Sequence, residues 1–370
     1  MFVEHAIEQL HRQGWASITS YVLLFTLKVS LAASLDTAEF SKRLTRKWPI
    51  IFGVACQFVI SPACGALIVW LLGMPYMPGV VLLVVTSCPG GCFSNWLCQL
   101  VNGDLAMSVA MTGCSTLVGM AMLPTNLYLY TRLVYSKEVL SWHQWCGVVG
   151  SVATVFTALT VGLTVSRHLN SRKWREHFGH LGTVCGLLLF VFSVVESSSP
   201  ATASTPIWRK SATLYMAVSL PVLMATAIVI ALTALNIFQL EPPERVAVVI
   251  EAVYQNTALG ATMALQMFPG HHAGDAMGVV VLYQLCQGAT LAIFGVCAHY
   301  FHWTLVSPNN TSLWSAFTGN FQQRAAGSLL TKQQATIGQA PADYGGSSGS
   351  APVGGTSGRR AFSGKRLLGP

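Results

Sequence analysis

Glu251 sits where a carboxylate is hard to justify. It lies near the centre of the apolar stretch ERVAVVIEAVYQNTALGATMALQMF, and an ionised acid at mid-membrane depth costs about 2.5–3.5 kcal/mol even on the mild insertion scale. Gln255 and Asn256 follow at i+4 and i+5, within about one helical turn. One carboxylate and two amides form an oxygen donor set suited to a hard cation. Neither imidazole nor thiolate is grouped with them, which argues against zinc or iron. The plain alternative is a structural ion pair, for which Lys28 is the mid-span base on offer.

A second chemical focus is VVLLVVTSCPGGCFSNWLCQL. Proline removes a backbone donor and paired glycines loosen the chain, so Pro89-Gly90-Gly91 predicts an interrupted helix. Backbone groups freed at membrane depth are tolerated only against protein or a polar cavity. Ser94 and Asn95 follow and add side-chain oxygens, and Ser108 and Thr112 share one face of the next helix at i, i+4. A packing kink is the plain alternative for the triplet, as interhelical hydrogen bonding is for the two hydroxyls. Asp104 is expected to cap a helix start. Cys88 and Cys114 would be nucleophiles only beside a general base, and no histidine lies mid-span to serve, so an enzyme is not expected.

The elements that hold these residues follow from composition. Of 370 residues, 52% are hydrophobic and 9% charged, against about 25% charged in a typical soluble domain. Disorder throughout and a cytosolic enzyme are both excluded by this. Apolar stretches at about 15–35, 48–73, 78–101, 105–131, 141–166, 178–196, 207–238, 243–268 and 275–301 predict about nine membrane spans. The ten cysteines fall within or at the edges of these stretches, without a CxxC pair, and are expected to be small buried hydrophobes.

Charge sets the orientation. Numbering loops by alternate crossings, fifteen Lys and Arg fall on one face and five on the other, with Lys28 inside the first span. The basic face is cytoplasmic, so the N-terminus is expected outside and the C-terminus inside. MFVEHAIEQLHRQ has two glutamates and no basic leader, so the first span is expected to stay as a signal anchor. The expected division is an extracellular N-terminus at 1–14, a transmembrane domain at 15–302 and a cytoplasmic, largely disordered basic tail at 303–370. The Gly- and Ser-rich tail, with six of the basic residues, would lie on anionic lipid rather than nucleic acid. Asn309-Asn310-Thr311-Ser312 holds overlapping glycosylation sequons that would face the cytoplasm unmodified.

Spans one to four and six to nine read as an inverted repeat, with the interrupted span third in each half. Paired interruptions at corresponding positions point to a transporter's midplane site. At these residues the chain resembles the bile acid:sodium symporter family. The resemblance rests on Ser87-Cys88-Pro89-Gly90-Gly91, Ser94-Asn95, Gly103-Asp104-Leu105 with Ser108, Met111 through Thr116, Pro124, Gln57 ahead of Pro62, and Glu251 with Gln255-Asn256. It covers most of residues 15–302, and the ordered set is specific where no single piece is.

The resemblance implies an all-α polytopic membrane protein with panel and core domains and two broken, crossing helices in the core. It implies one sodium site on Ser94, Asn95, Ser108, Thr112 and Glu251. A second would use Gln57, Glu251 and Gln255 with backbone carbonyls near Ala252 and Tyr254. Pro89, Gly90, Gly91 and Asn256 would form the breaks and the substrate crevice. Family members usually carry glycine two residues after the glutamate; here it is Val253, which suits an unwound segment less well. The short N-terminus matches the nine-span arrangement of animal relatives. The expected function is sodium-coupled symport of an organic anion (bile acid, sulfated steroid or small carboxylate). Proton coupling on the same fold, or a non-transporting receptor or scaffold, stands as the alternative. Expected partners are the anion, sodium, membrane lipid and a second copy of the chain; no cofactor beyond coupling ions and no nucleic acid is expected.

Overall fold

The computed structural model describes residues 2–35, 43–91, 93–136, 140–168 and 171–305, all helix and connecting turns apart from one isolated bridge. Residues 306–370, and with them nearly all of the expected tail and its sequons, lie outside the described residues. The chain divides into two units, Met1–Gln322 and Gln323–Pro370, of which the first carries everything described below.

The long apolar runs form long helices: α1 (Phe2–Ser34), α2 (Lys47–Leu71), α5 (Leu105–Tyr135), α6 (Trp142–His168), α7 (Arg172–Ser198), α8 (Ala212–Ala234) and α11 (Ala273–Tyr300), with Pro62, Pro124 and Pro221 inside α2, α5 and α8 without ending them. Seven stretches among the described residues are long and apolar enough to cross a membrane, and each lies within one of these helices. The protein is thus an all-helical, multi-pass membrane protein. Two further stretches are split. Tyr76–Thr86 (α3) and Ser94–Leu100 (α4) flank the first break, and Pro242–Val253 (α9) and Thr257–Met267 (α10) flank the second.

Helix ends depart from the expected spans where local chemistry decides. The helix α1 begins at Phe2 rather than near residue 15, because nothing between Phe2 and Gln13 breaks a helix. The helix α8 begins at Ala212 rather than 207, where the Ser211 hydroxyl accepts from Leu214 N at 3.2 Å. Asp104 does cap α5, accepting from Met107 N at 3.0 Å, and pairs with Arg43 at 3.2 Å. Asp104→Ala is expected to cost about 1 kcal/mol through the lost cap, and Asp104→Asn much less, measured by thermal unfolding in detergent.

The loops gather into two sets. In one, Arg43 meets Asp104, Arg46 meets Glu244 at 2.5 Å and Glu241 at 3.4 Å, Arg245 lies over the Trp303 ring at 5.5 Å, and Leu305 N donates to Asn102 O. In the other, Tyr135 donates to Met74 O, Tyr76 to Gln144, and Ser204 and Lys210 to Asp275. Alternate connections therefore share a face, as successive crossings require.

Helix α1 packs chiefly on α6 and α7, with Gly162 tight against Ala32 and Val29. Helices α2, α5, α8 and α9 pack around the two breaks, and α10 and α11 bridge to the first group. Not every cysteine is buried: Cys56, Cys64, Cys88, Cys98 and Cys185 are, Cys114 and Cys286 are half-buried, and Cys146 and Cys297 are exposed. In a membrane helix an outward thiol meets hydrocarbon, so an apolar setting does not imply a core position. Cys92 lies outside the described residues. Lys28 is buried within the protein at 5% exposure and does not face lipid.

Candidate functional site

The two breaks face each other. Gly90 and Gln255 form an isolated antiparallel bridge, in which Gly91 N donates to Tyr254 O at 3.1 Å and Asn256 N to Pro89 O at 2.9 Å. Each interruption satisfies the backbone groups that the other frees, which is what allows irregular chain inside a membrane protein. The first break is written in Pro89-Gly90-Gly91. A Cβ at Gly91 would sit 2.5 Å from the Tyr254 ring and 2.9 Å from Gln255 O, so close approach explains that glycine.

Around the crossing, Glu251 is 1% exposed on the last turns of α9. Its carboxylate accepts from Ser108, in a very short contact, and from Thr112 at 2.7 Å. The Asn95 side-chain oxygen lies 2.8 Å from the Ser108 hydroxyl and 3.2 Å from that of Thr112. Ser94, fully buried at the start of α4, donates to Gly91 O at 3.0 Å beside them. All five residues expected for the first site are thus brought together, by α4, α5 and α9. Five side-chain oxygens (Asn95 Oδ1, Ser108 Oγ, Thr112 Oγ1 and both of Glu251) have three hydroxyl protons within reach, and those of Ser94 and Thr112 are also claimed by the Gly91 and Ser108 carbonyls. Each hydroxyl has one hydrogen and more than one acceptor within reach. A buried cluster short of protons attracts a cation.

Gln57 comes from a π-helical turn, Cys56–Ile60, inside α2. Pro62 lacks the N–H that Phe58 O would otherwise accept, and Asn126 Nδ2 supplies that bond at 2.9 Å. A Cβ at Gly90 would lie 3.1 Å from Ser115 Oγ, 3.2 Å from Glu251 Oε2 and 3.6 Å from Gln57 Nε2. Gln57 and Glu251 therefore face one point beside the break, joined by Ser115, which donors and spacing alone did not single out. Gln57 Nε2, both side-chain atoms of Gln255 and Asn256 Nδ2 are buried without a hydrogen-bond partner. Such atoms are rare in native proteins; of the four, only Gln255 Oε1 is an acceptor that could ligate a cation, the three nitrogens being donors. Of the expected carbonyls, Ala252 O already accepts from Ser61 at 3.1 Å and Tyr254 O from Gly91.

Two further positions frame the second break. Val253 is the last residue of α9, fully buried and helical, and the chain unwinds only from Tyr254. A β-branched residue is therefore accommodated without entering the break. Asn256 caps α10 through its side-chain oxygen, which accepts from Leu259 N at 3.1 Å. Among the described residues no group of three His, Cys, Asp or Glu could hold a metal ion.

Gln284 and Gln287 on α11 went unnoticed as a pair in YQLCQG, although two amides at i, i+3 in an apolar helix are a signal. Gln287 Oε1 accepts from Gln255 N at 2.9 Å and its Nε2 donates to Gln255 O at 3.2 Å and to Gln284 Oε1 at 2.8 Å. Gln284 donates to the Tyr254 hydroxyl at 2.5 Å and accepts from Thr257. Gln284 and Thr257 also line a small, partly open pocket between α7, α11 and both breaks, with room for about one water, otherwise walled by Phe93, Leu189, Phe190, Ser193, Val280 and Val281 among others. No charged side chain lines it.

A profile described as the Sodium Bile acid symporter family matches residues 21–205, half of the chain. The chain belongs to that family. The Cricetulus griseus ileal sodium/bile acid cotransporter is 32% identical over 178 residues, 47% of this chain and 49% of the relative. The matched part thus spans about half the length of that symporter. The sodium-dependent organic anion transporter of Bos taurus is 25% identical over 278 residues (73% and 70% of the two chains). The hepatic sodium/bile acid cotransporter of Rattus norvegicus is 24% identical over 293 residues (76% and 77%). Members of the family are symporters, not enzymes, and the oxygen cluster at the crossing lies in a chain of that family.

Proposed function

We propose that the chain is a sodium-coupled symporter of an organic anion (bile acid, sulfated steroid or small carboxylate) working by alternating access. The observation that carries this is the proton-poor oxygen cluster built where the two broken helices pair. One sodium would be held by Ser94, Asn95, Ser108, Thr112 and Glu251, and a second by Gln57, Glu251 and Gln255. One carboxylate shared by two cations offsets part of their charge and its own desolvation. Coupling ions are the only non-protein groups required.

The anion would enter at the pocket beside the crossing, which is water-sized in this conformation and would have to widen to admit it. Its apolar walls suit a hydrophobic body, and Thr257, the first residue of α10, presents a half-helix N-terminus whose dipole favours negative charge. Movement of α1, α6 and α7 as a panel against the remaining core would open the cavity to alternate sides. Two sodium ions with a monoanion move one net charge, adding ~2.3 kcal/mol of drive per 100 mV. The excess of Lys and Arg on one set of loops supports an N-terminus outside, and the resemblance to animal-type relatives supports the plasma membrane.

A proton on Glu251 would also relieve the shortage of hydrogens in the cluster, so proton coupling is the second reading. Melting temperature of the detergent-purified protein in sodium against potassium separates the two. The expected result is a sodium-specific rise, equivalent to about 2.7 kcal/mol at a hundredfold excess over Kd. Equal melting in both salts, with stabilisation on mild acidification, would overturn sodium coupling in favour of protons. Equal melting with no pH response would leave a receptor or scaffold.

A further inference from the structure

We infer that Gln287, braced by Gln284, is a positioning residue that holds the second cation site in register with the cargo cavity. The inference rests on the symport reading above. The break at Tyr254–Asn256 has no proline or glycine to impose it, so something outside the segment must hold Gln255 extended. On one side the backbone of Pro89–Gly91 does so, through the bridge. On the other side a single side chain does the work of a neighbouring strand. Gln287 gives its acceptor to Gln255 N and its donor to Gln255 O, satisfying both backbone groups of one residue.

Gln255 is also the residue whose side-chain amide is wholly buried and unpartnered. Fixing its backbone fixes where that amide can reach. Gln287 in turn bonds Gln284, which touches Tyr254 on the break, Thr257 at the head of α10, and the cavity itself. An occupant that hydrogen-bonds Gln284 or Thr257 must share or displace those bonds. The hydrogen-bonded chain Gln284–Gln287–Gln255 backbone therefore joins the pocket to the residue whose free amide would reach the second cation, and coupling along it would be reciprocal.

The test is a sodium titration of melting temperature at constant ionic strength, potassium replacing sodium, with no organic ligand present. The wild-type curve is expected to have a Hill slope above one. Gln287→Met keeps the volume but removes donor and acceptor; it is expected to raise the half-saturating sodium concentration tenfold or more and to bring the slope to one. Gln287→Asn, with both groups on a shorter stem, is expected to recover part of the slope, which a packing role would not produce. Should Gln287→Met fail to fold, Gln284→Met leaves both Gln255 bonds available and is expected to raise half-saturation about threefold. A wild-type sodium curve in Gln287→Met, or in Gln284→Met if that variant must stand in, would overturn the inference and leave sodium symport standing. A wild-type protein indifferent to sodium would overturn both.

Discussion

Glu251→Gln is expected to abolish the sodium-dependent rise in melting temperature and sodium-driven uptake while leaving the protein folded. The substitution is isosteric and trades a charge for two donors. In potassium the variant should melt at or above wild type, because the new amide hydrogens meet the acceptors that Ser108 and Thr112 cannot serve at once. It also removes the ~2.5–3.5 kcal/mol insertion cost of a mid-span acid. In sodium the order should reverse, since a cation held by four neutral oxygens lacks the charge that offsets its own desolvation. The contribution lost is about 2.7 kcal/mol at a hundredfold excess of sodium over the wild-type Kd. A variant that keeps the sodium response would place the ion elsewhere. One that simply unfolds in both salts would mark Glu251 as structural, contrary to the proton-poor geometry around it.

How far the sequence reveals this site depends on which forces are local. The break at Pro89–Gly91 is legible because proline and glycine act on their own backbone. The break at Tyr254–Asn256 is visible only through the polar cluster Glu251, Gln255 and Asn256, since what unwinds it lies on α11, some thirty residues on. The π turn that carries Gln57 depends on Pro62 together with Asn126, a residue on α5. The five residues of the first cluster are those the family resemblance implies; residue type and spacing alone make legible Glu251 as a mid-span carboxylate and Ser108 and Thr112 as one helix face. Ser115 did not stand out, because its role is set by its nearness to Gly90. Val253 illustrates the converse: the resemblance sets it where family members usually carry glycine, and the helix runs one residue past Ala252 with valine in place. The apolar stretches themselves were readable to within a few residues except at α1, α7 and α8: charged but helix-compatible segments carry α1 back to Phe2 and α7 back to Arg172, and a serine cap delays α8.

The adjacent glycines of the first break are expected to fail in different ways, and the difference separates architecture from ion binding. Gly91→Ala puts a methyl 2.5 Å from the Tyr254 ring and 2.9 Å from Gln255 O. The backbone oxygen cannot swing aside as a side chain would, and it already accepts from Gln287 Nε2 and Thr257 N, which hold the second break. The cost is expected to be about 3 kcal/mol, at the upper end of ordinary overpacking, seen as a lower melting temperature in either salt and loss of transport. Gly90→Ala meets only side-chain tips: Ser115 Oγ at 3.1 Å, Glu251 Oε2 at 3.2 Å and Gln57 Nε2 at 3.6 Å. Those tips can shift by a few tenths of an ångström, so melting in potassium should change little. The methyl, however, sits at the point Gln57 and Glu251 face, where a cation bridging them would lie. The sodium response should therefore fall in slope or vanish while the fold persists. If Gly90→Ala instead titrates with sodium as wild type does, the space beside Gly90 holds no ion, and Gln57 has no part in coupling. If Gly91→Ala melts unchanged, the crossing is looser than its hydrogen bonds imply, and the rigid pairing of the two breaks is the premise to abandon.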